Sequence, residues 1–528
     1  MSEATQDVPA PRSETAHRYL DAIITFADNV LKHGRDTYGS KQTPLLIDGI
    51  NIDSLEPPVW HYQGQEWVMS NLASQQNLFR TLVGLSEVTG EPKYRQAAVD
   101  AVAYTFDSLQ YPNGLLPWGG HAFYDALGEK VVGEGPRHEL ELHYPFYELL
   151  WQVNPEATKR FIEASWSAHV IEWERLDINR HGDFEKHLHG DPWDHEYRGG
   201  RVPFTGKGLS FIMAGTDLVR AAAWLSHLSG DEKPLIWAKH LAKRYVEARH
   251  PETGLGPANF TVVEDHRMEK QFPQFGGRFT EATVTDLYGD RYRNCAICQL
   301  RLGEVFGANA QEFLQWAVED LTARANHGYN EQTNSFSATL IDGTELSPAD
   351  IIHPGYVKQR WLEKREADGE HFLAYALAYR LSKDNLMWRM TRAIGRGLDL
   401  GELGKVPGKP GSLNHQTQVS DPLLIFGLLE LYDATGEAAY LELAVRLGDN
   451  VLESRFDKGF FVQSKNHVFA KFDDPTSLAL LHLHAALLDL PTQPPKFWAS
   501  KPYFHCGYDG KSRTYDNHEI YGQFRDED

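Results

Sequence analysis

Apolar positions recur every three to four residues along nearly the whole chain, the spacing that gathers them on one face of an α-helix. The stripes come in pairs joined by tight turns. In Ser86-Glu-Val-Thr-Gly-Glu-Pro-Lys-Tyr94, Ser226-His-Leu-Ser-Gly-Asp-Glu-Lys-Pro234 and Tyr432-Asp-Ala-Thr-Gly-Glu-Ala-Ala-Tyr440 one stripe stops at a glycine. Glycine accepts the left-handed conformation that commonly follows a helix. An acidic residue then opens the next stripe, where negative charge suits the helix dipole. Weaker copies stand at Val153-Asn-Pro-Glu156, Phe306-Gly-Ala-Asn309 and Leu381-Ser-Lys-Asp-Asn385.

The pattern predicts two sets of helices. The first lies near 70–88, 138–152, 208–228, 289–306, 367–382, 420–434 and 474–489; the second lies near 14–34, 92–109, 155–176, 232–249, 308–326, 383–398 and 437–453. Seven of each make an all-α fold, a closed (α/α)7 toroid in which the N-terminal helix pairs with the last. An open solenoid is the alternative, but it needs atypical capping repeats at its ends, which the pattern lacks. Links from a first-set to a second-set helix are short. Links back run to about 20–40 residues, hold most of the Gly, His, Trp and Arg, and emerge on one rim, where function concentrates. Residues 1–13 are expected to be a disordered lead, 14–490 the toroid, and 491–528 an extension packed on it.

Three chemistry-bearing stretches fall on that rim. Trp118-Gly-Gly-His121 follows the helix near 92–109. Arg137-His-Glu-Leu-Glu-Leu-His-Tyr144 starts the next first-set helix, and Arg180-His181 ends the helix near 155–176. His121, Glu139 and His181 offer two imidazoles and a carboxylate, a donor set suited to a borderline divalent cation such as Mn²⁺, Zn²⁺ or Ni²⁺. Three ligands leave positions for substrate and water. The plainer alternative makes the histidines helix caps and Glu139 a partner of a helix dipole. Glu141 competes with Glu139 for the ligand role, but Leu140 and Leu142 bracket Glu141 as core. His143 falls four residues from Glu139 on the same helical face, as a further ligand or supporting partner.

The series His121, Glu139, Arg180-His181 on such a toroid resembles polysaccharide lyase family 2, a family of pectate lyases with an (α/α)7 barrel. The resemblance spans most of the chain by length and repeat count. It implies that His121, Glu139 and His181 hold a transition metal, Mn²⁺ foremost with Ni²⁺, Co²⁺ or Zn²⁺ as alternatives. It also implies that Arg180 is the Brønsted base. The implied reaction is β-elimination of a 4-linked uronate, in which the proton at C5 is removed beside a carboxylate. A metal on that carboxylate offsets the developing charge.

Composition narrows the partners. Fifty-two Lys and Arg against 73 Asp and Glu leave a net charge of −21, which argues against a nucleic-acid or anionic-membrane binder. An acidic oligosaccharide needs only a locally basic cleft. Arg201, Lys207, Arg278, Tyr356, Lys358 and Arg360 are candidates to bind uronates, with Arg291 beside them. Trp60, Trp67, Trp118 and Trp193 are candidates to stack on sugars. The pair Cys295 and Cys298 has metal-site spacing, but no second pair completes a tetrahedral site, so both are expected as core thiols. The run His187-Leu-His-Gly-Asp-Pro-Trp-Asp-His195 is a rival metal cluster, and it reads better as a polar loop.

The opening Met1–Arg12 is acidic, carries two prolines and lacks an apolar run. It does not read as a signal peptide, and no stretch approaches the ~18 apolar residues of a membrane span. The expectation is a cytoplasmic, exo-acting lyase, monomeric or homodimeric. Two other readings remain: a toroid hydrolase of uronic-acid oligosaccharides using acids such as Asp191, Asp194 and Asp286, and a non-catalytic carbohydrate-binding repeat protein.

Overall fold

Two concentric rings take up fourteen of the fifteen α-helices described. The computed structural model describes residues 10–498 apart from 63, 120–121, 134–136, 141, 187–189, 265–266 and 286–291. The inner ring is α2 (Gln76–Thr89), α4 (Tyr147–Val153), α6 (Ile212–Ser229), α9 (Tyr292–Phe306), α11 (Gly369–Ser382), α13 (Pro422–Thr435) and α15 (Thr476–Leu487). The outer ring is α1 (Ala10–His33), α3 (Pro92–Tyr104), α5 (Pro155–His169), α7 (Lys233–Glu247), α10 (Gln311–His327), α12 (Asn385–Gly397) and α14 (Ala438–Arg455); the short α8 (Arg267–Gln271) sits in a rim loop.

Sequence sorts the helices between the rings. Inner helices are apolar around their circumference: in α11 every residue from Gly369 to Tyr379 is buried. Outer helices bury one stripe, as in α12, where Met387, Trp388, Met390, Thr391, Ala393 and Ile394 are buried. That is the difference between a helix enclosed by neighbours and one with a wet face. Successive inner helices touch from α4 through α6, α9, α11, α13 and α15 to α2. The remaining gap, α2 to α4, is closed by Arg80 Nη2 donating to the Tyr144 carbonyl and by Phe146 N donating to Gln76 Oε1, both at 2.7 Å. Helix α1 packs on α15, with His484 Nδ1 donating to the Ala16 carbonyl at 2.8 Å. Gly90, Gly230 and Gly436 end α2, α6 and α13 with φ of 75°, 77° and 69°, the left-handed caps read from the sequence.

The end of the barrel that carries these turns is crossed by the segment after α15. Pro494 and Pro495 lie against Gly84 of α2. Lys496 Nζ pairs with Glu304 of α9 at 2.6 Å. Phe497 stacks on Phe426 of α13 at 4.7 Å, and Trp498 meets Trp224 of α6 at 5.9 Å. Residues 494–498 thus pack across that opening; residues 499–528 lie outside the described residues.

Several boundaries differ from expectation. The first helix begins at Ala10, inside the stretch expected to be disordered. The helix expected over 138–152 is only Tyr147–Val153, because Arg137–Glu139 is a strand. The helix expected to reach 176 stops at His169, where Val170–Glu172 and Asp177–Ile178 form a hairpin. Cys295 and Cys298 are buried core thiols, as expected, and Cys506 lies outside the described residues. No helix among the described residues is long and apolar enough to cross a membrane.

His482, on α15, donates from Nε2 to the Pro495 carbonyl at 3.0 Å. Burial, opposed by that bond and reinforced by nearby Arg301, pushes its pKa down to about 4 from the ordinary 6.5. The folded state therefore binds fewer protons than the unfolded chain between those values, so this contribution is full above pH 6.5 and is lost as pH falls towards 4. We expect about 3 kcal/mol of stability to go over that window. Thermal melts should show the loss in the wild type, and His482→Gln should flatten that part of the profile.

Candidate functional site

Glu139 and His181 face each other across a ladder of two short strands. Arg137–Glu139 pairs antiparallel with His181–Asp183, placing Arg137 opposite Asp183, His138 opposite Gly182 and Glu139 opposite His181. Opposed side chains on such a pair leave the backbone ~4.5–5.5 Å apart, so the ladder alone brings the carboxylate and the imidazole together. His181 Nε2 lies 3.2 Å from Glu139 Oε1, and Arg180 Nη1 lies 3.7 Å from the same oxygen. The Glu139 side chain is 2% exposed, against 26% for His181 and 23% for Arg180. A buried carboxylate thus sits beneath an imidazole and a guanidinium that reach the surface. The Arg180 guanidinium also lies 5.5 Å over the Phe211 ring, just before α6.

A second layer holds this arrangement. His169 Nδ1 is 2.7 Å from the Asn179 carbonyl, which can only accept, so the proton is on Nδ1 and Nε2 is an acceptor. His138 Nδ1 then donates to His169 Nε2 at 2.9 Å. Burial pushes His138 well below the ordinary imidazole range and His169 down to about 4, so both rings are neutral and the chain of bonds has one direction. Gly182 allows the close fit: a Cβ there would stand 2.7 Å from His169 Nε2. From the other side, Gly119 at φ 80° rests on Glu139, where a Cβ would stand 2.5 Å from the Glu139 carbonyl oxygen, and Asn71 Nδ2 donates to the Gly119 carbonyl at 2.8 Å.

The donor chemistry fits a metal as far as the described residues go. Two ligands of one transition ion, bound at ~2.1 Å and near a right angle, stand about 3.0 Å apart. The Glu139–His181 pair presents that edge. His121 and Glu141 lie outside the described residues, and among those described no group of three or more His, Cys, Asp or Glu side chains forms a metal cluster. His143 is not on a helical face with Glu139, since neither residue is in a helix; it is buried, with its ring edge-on to Trp118 at 6.1 Å.

The remaining candidates separate. Lys207 is exposed, and its backbone N–H donates to Asp177 Oδ2 at 2.8 Å, which ties it to the hairpin leading into Arg180. Arg201 is exposed a few residues earlier. Arg278, Tyr356 and Arg360 surround a small core of their own, built on Met268, Phe272, Phe279, Leu340 and Val357, and Arg278 is paired with Asp342 at 2.5 Å. Trp118 is corrected as a sugar platform: it is 1% exposed and packs on Phe161 at 5.5 Å, so neither face is open. In the rival histidine run, His187 and His189 lie outside the described residues, and His195 stacks on Trp173 at 4.4 Å. Asp191 caps its own turn through Trp193 N, and Asp194 pairs with Lys233. These are the ordinary partners of a polar surface loop; Asp286, the third acid of the hydrolase reading, lies outside the described residues.

The ladder and the histidine pair were missed from sequence. Two signals were available. Pro145 disfavours helical backbone at Tyr144, and the β-branched pair Val170-Ile171 favours a strand directly after α5.

A sequence family described as periplasmic pectate lyase matches residues 43–507. A curated pectate disaccharide-lyase of Dickeya dadantii (strain 3937) is 30% identical over 552 positions, covering 98% of this chain and 98% of the relative. Solved structures with a similar course include an α-mannanase from Bacteroides thetaiotaomicron at 10% identity and a TM-score of 0.43, covering 90% of this chain and 96% of that one. A D-mannose isomerase matches at 14% identity and 0.42, covering 74% and 87%. The periplasmic description corrects the cytoplasmic placement expected from the opening residues, whose charge and proline content do not report location.

Gly119→Ala should demand both a left-handed alanine and a shift of the Glu139 backbone. We expect a loss of about 2–3 kcal/mol in a melt together with a fall in activity, whereas Gly230→Ala, with open space around its Cβ, should cost stability alone.

Proposed function

The chain belongs to the periplasmic pectate lyases, family 2 of the polysaccharide lyases, and from that premise we propose that it is a metal-dependent, end-acting enzyme releasing disaccharides from pectate-type chains. That it is a pectate-type polysaccharide lyase rests on the family. The observation that supports the metal-dependent reading is the convergence of His181 Nε2 and Arg180 Nη1 on one oxygen of the buried Glu139 carboxylate. The name of the Dickeya dadantii relative, a disaccharide-lyase, supports the product class.

In β-elimination the C5 proton leaves to a base, the electron pair forms the C4–C5 double bond, and the C4–O bond breaks with O4 taking a proton from solvent or an acid. A divalent cation held by His121, Glu139 and His181 would supply Lewis-acid neutralisation of the substrate carboxylate, which acidifies C5. Arg180 is assigned the base. Its guanidinium is aligned by Phe211 on one side and Glu139 on the other, so one nitrogen can face C5 without a search through rotamers. Glu139 is fixed by the ladder, and the neutral His138–His169 pair holds the strand beneath it without adding charge. Exposed Lys207 lies beside the hairpin that leads into Arg180, where an anionic chain would meet positive charge.

Purified protein on polygalacturonate should yield a 4,5-unsaturated disaccharide as the first product, lose activity on exhaustive chelation and regain it with Mn²⁺. Arg180→Ala should lower kcat by about 10²–10⁴-fold while leaving bound metal in place. His181→Ala should lose the metal. Full activity after chelation would sink the metal dependence, and an early spread of long unsaturated fragments would sink end-on action.

A further inference from the structure

Three residues beyond Glu139 the backbone takes an unusual path. Leu142 has φ 63° and Tyr144 has φ 45°, left-handed values that non-glycine residues avoid at a cost of order 1–3 kcal/mol each. Such outliers persist only where their surroundings over-determine them. Here the surroundings are four buried polar side chains from the two neighbouring inner helices. Asp217 Oδ2 of α6 accepts from Leu142 N at 2.7 Å, and Arg220 Nη1 of α6 donates to the Pro145 carbonyl at 2.7 Å. Arg80 and Gln76 of α2 take the Tyr144 carbonyl and the Phe146 N–H.

The four contacts are not equivalent. Those of Arg80, Arg220 and Gln76 fall at residues 144–146, at the start of α4, and serve the ring closure between α2 and α4. The Asp217 contact falls at Leu142, between the end of the strand and that closure. Leu142 is itself fully buried, so its side chain is held by the core while its amide is held by the carboxylate. Release of the amide lets the backbone relax towards an ordinary φ, and the rotation is passed up the chain to Glu139 at the strand end. We propose that Asp217 is a positioning residue for the Glu139–Arg180–His181 site, acting through the left-handed conformation it enforces at Leu142. The metal readout below rests on the reading of the site given above; the kcat readout does not.

The test measures kcat and KM on polygalacturonate, Mn²⁺ affinity and melting temperature for the wild type, Asp217→Asn, Asp217→Ala and Asp217→Ala with Leu142→Gly. Asp217→Ala should lower kcat by about 10–100-fold with KM changed less, as expected of a site moved by a fraction of an ångström, and weaken Mn²⁺ by about 10-fold or more. Glycine adopts positive φ without strain. The double variant should therefore regain part of kcat while melting lower still, because it has also lost a core leucine. A merely structural role predicts the opposite: activity and melting temperature falling together. The proposal is overturned if Asp217→Ala keeps kcat within twofold of wild type, or if glycine at 142 brings no recovery. Should Asp217→Ala not fold, Asp217→Asn carries the test, since its side-chain oxygen can still accept from Leu142 N. kcat within about threefold of wild type supports the proposal, and a loss of tenfold or more overturns it. If the wild type binds no Mn²⁺ yet the kcat pattern holds, the metal reading has failed and the positioning role stands.

Discussion

A three-residue antiparallel ladder on the rim of a mostly helical protein sets the candidate site. Side chains on a strand alternate between faces, so slipping the 137–139 and 181–183 strands by one residue would turn Glu139 away from His181 and expose His138 in its place. Short strands specify register weakly on their own. In this protein the register is fixed from behind by the hydrogen-bonded His138–His169 pair and by a glycine, Gly182, packed on one of those rings. It is fixed from the side by Gly119 against the Glu139 carbonyl. The first two contacts tie the ladder to the end of α5 and the third ties it to the loop after α3, so the ladder is held from two separate parts of the ring.

The barrel in turn separates stability from chemistry along its axis. At the end with short turns, Arg301 and Arg380 share Glu304 and Glu430, and Lys496 joins them from the segment that crosses the opening. Charges buried this deeply are tolerable because each has an opposite partner. At the end with long loops, the buried carboxylate of Glu139 is shared by groups that are partly open to solvent. One end is closed over a buried ion-pair network; the other leaves the partners of its buried carboxylate partly open to solvent.

The ring was legible in the sequence because glycine-acidic turns and 3.6-residue stripes are local signals that repeat. Boundaries went astray where a local signal competed with a longer-range one. A continuous helix over 138–152 satisfied the apolar spacing of Leu140, Leu142, Leu149 and Leu150, yet residues 137–139 found their partners more than forty positions away. The same confusion made Trp118 a rim aromatic: sequence places it in a long loop, but that loop folds back and buries it against Phe161. Glu139 and His181 could be nominated as ligands from residue type and place in the repeat, and Arg180 as base only through the family resemblance. Asp217, Arg80 and Gln76 could not, because a buried polar residue on an inner helix announces nothing until the backbone it holds is known.

That two polar groups lean on a single carboxylate oxygen bears on why an arginine would stand at this position. Paired with Glu139 at 3.7 Å, the guanidinium faces a charge that water hardly screens, since the carboxylate is buried. On the proposed reading the same oxygen also serves a divalent cation. Like charges a few ångströms apart repel by about 1–4 kcal/mol at the dielectric of a protein surface, so on that reading a cation on Glu139 would weaken the carboxylate's hold on Arg180. An isolated arginine is a poor base because its proton is held too tightly. On the proposed reading, a counter-charge shared with another partner is what would suit an arginine to the place of the base. The geometry that couples them is the one oxygen that His181 and Arg180 share.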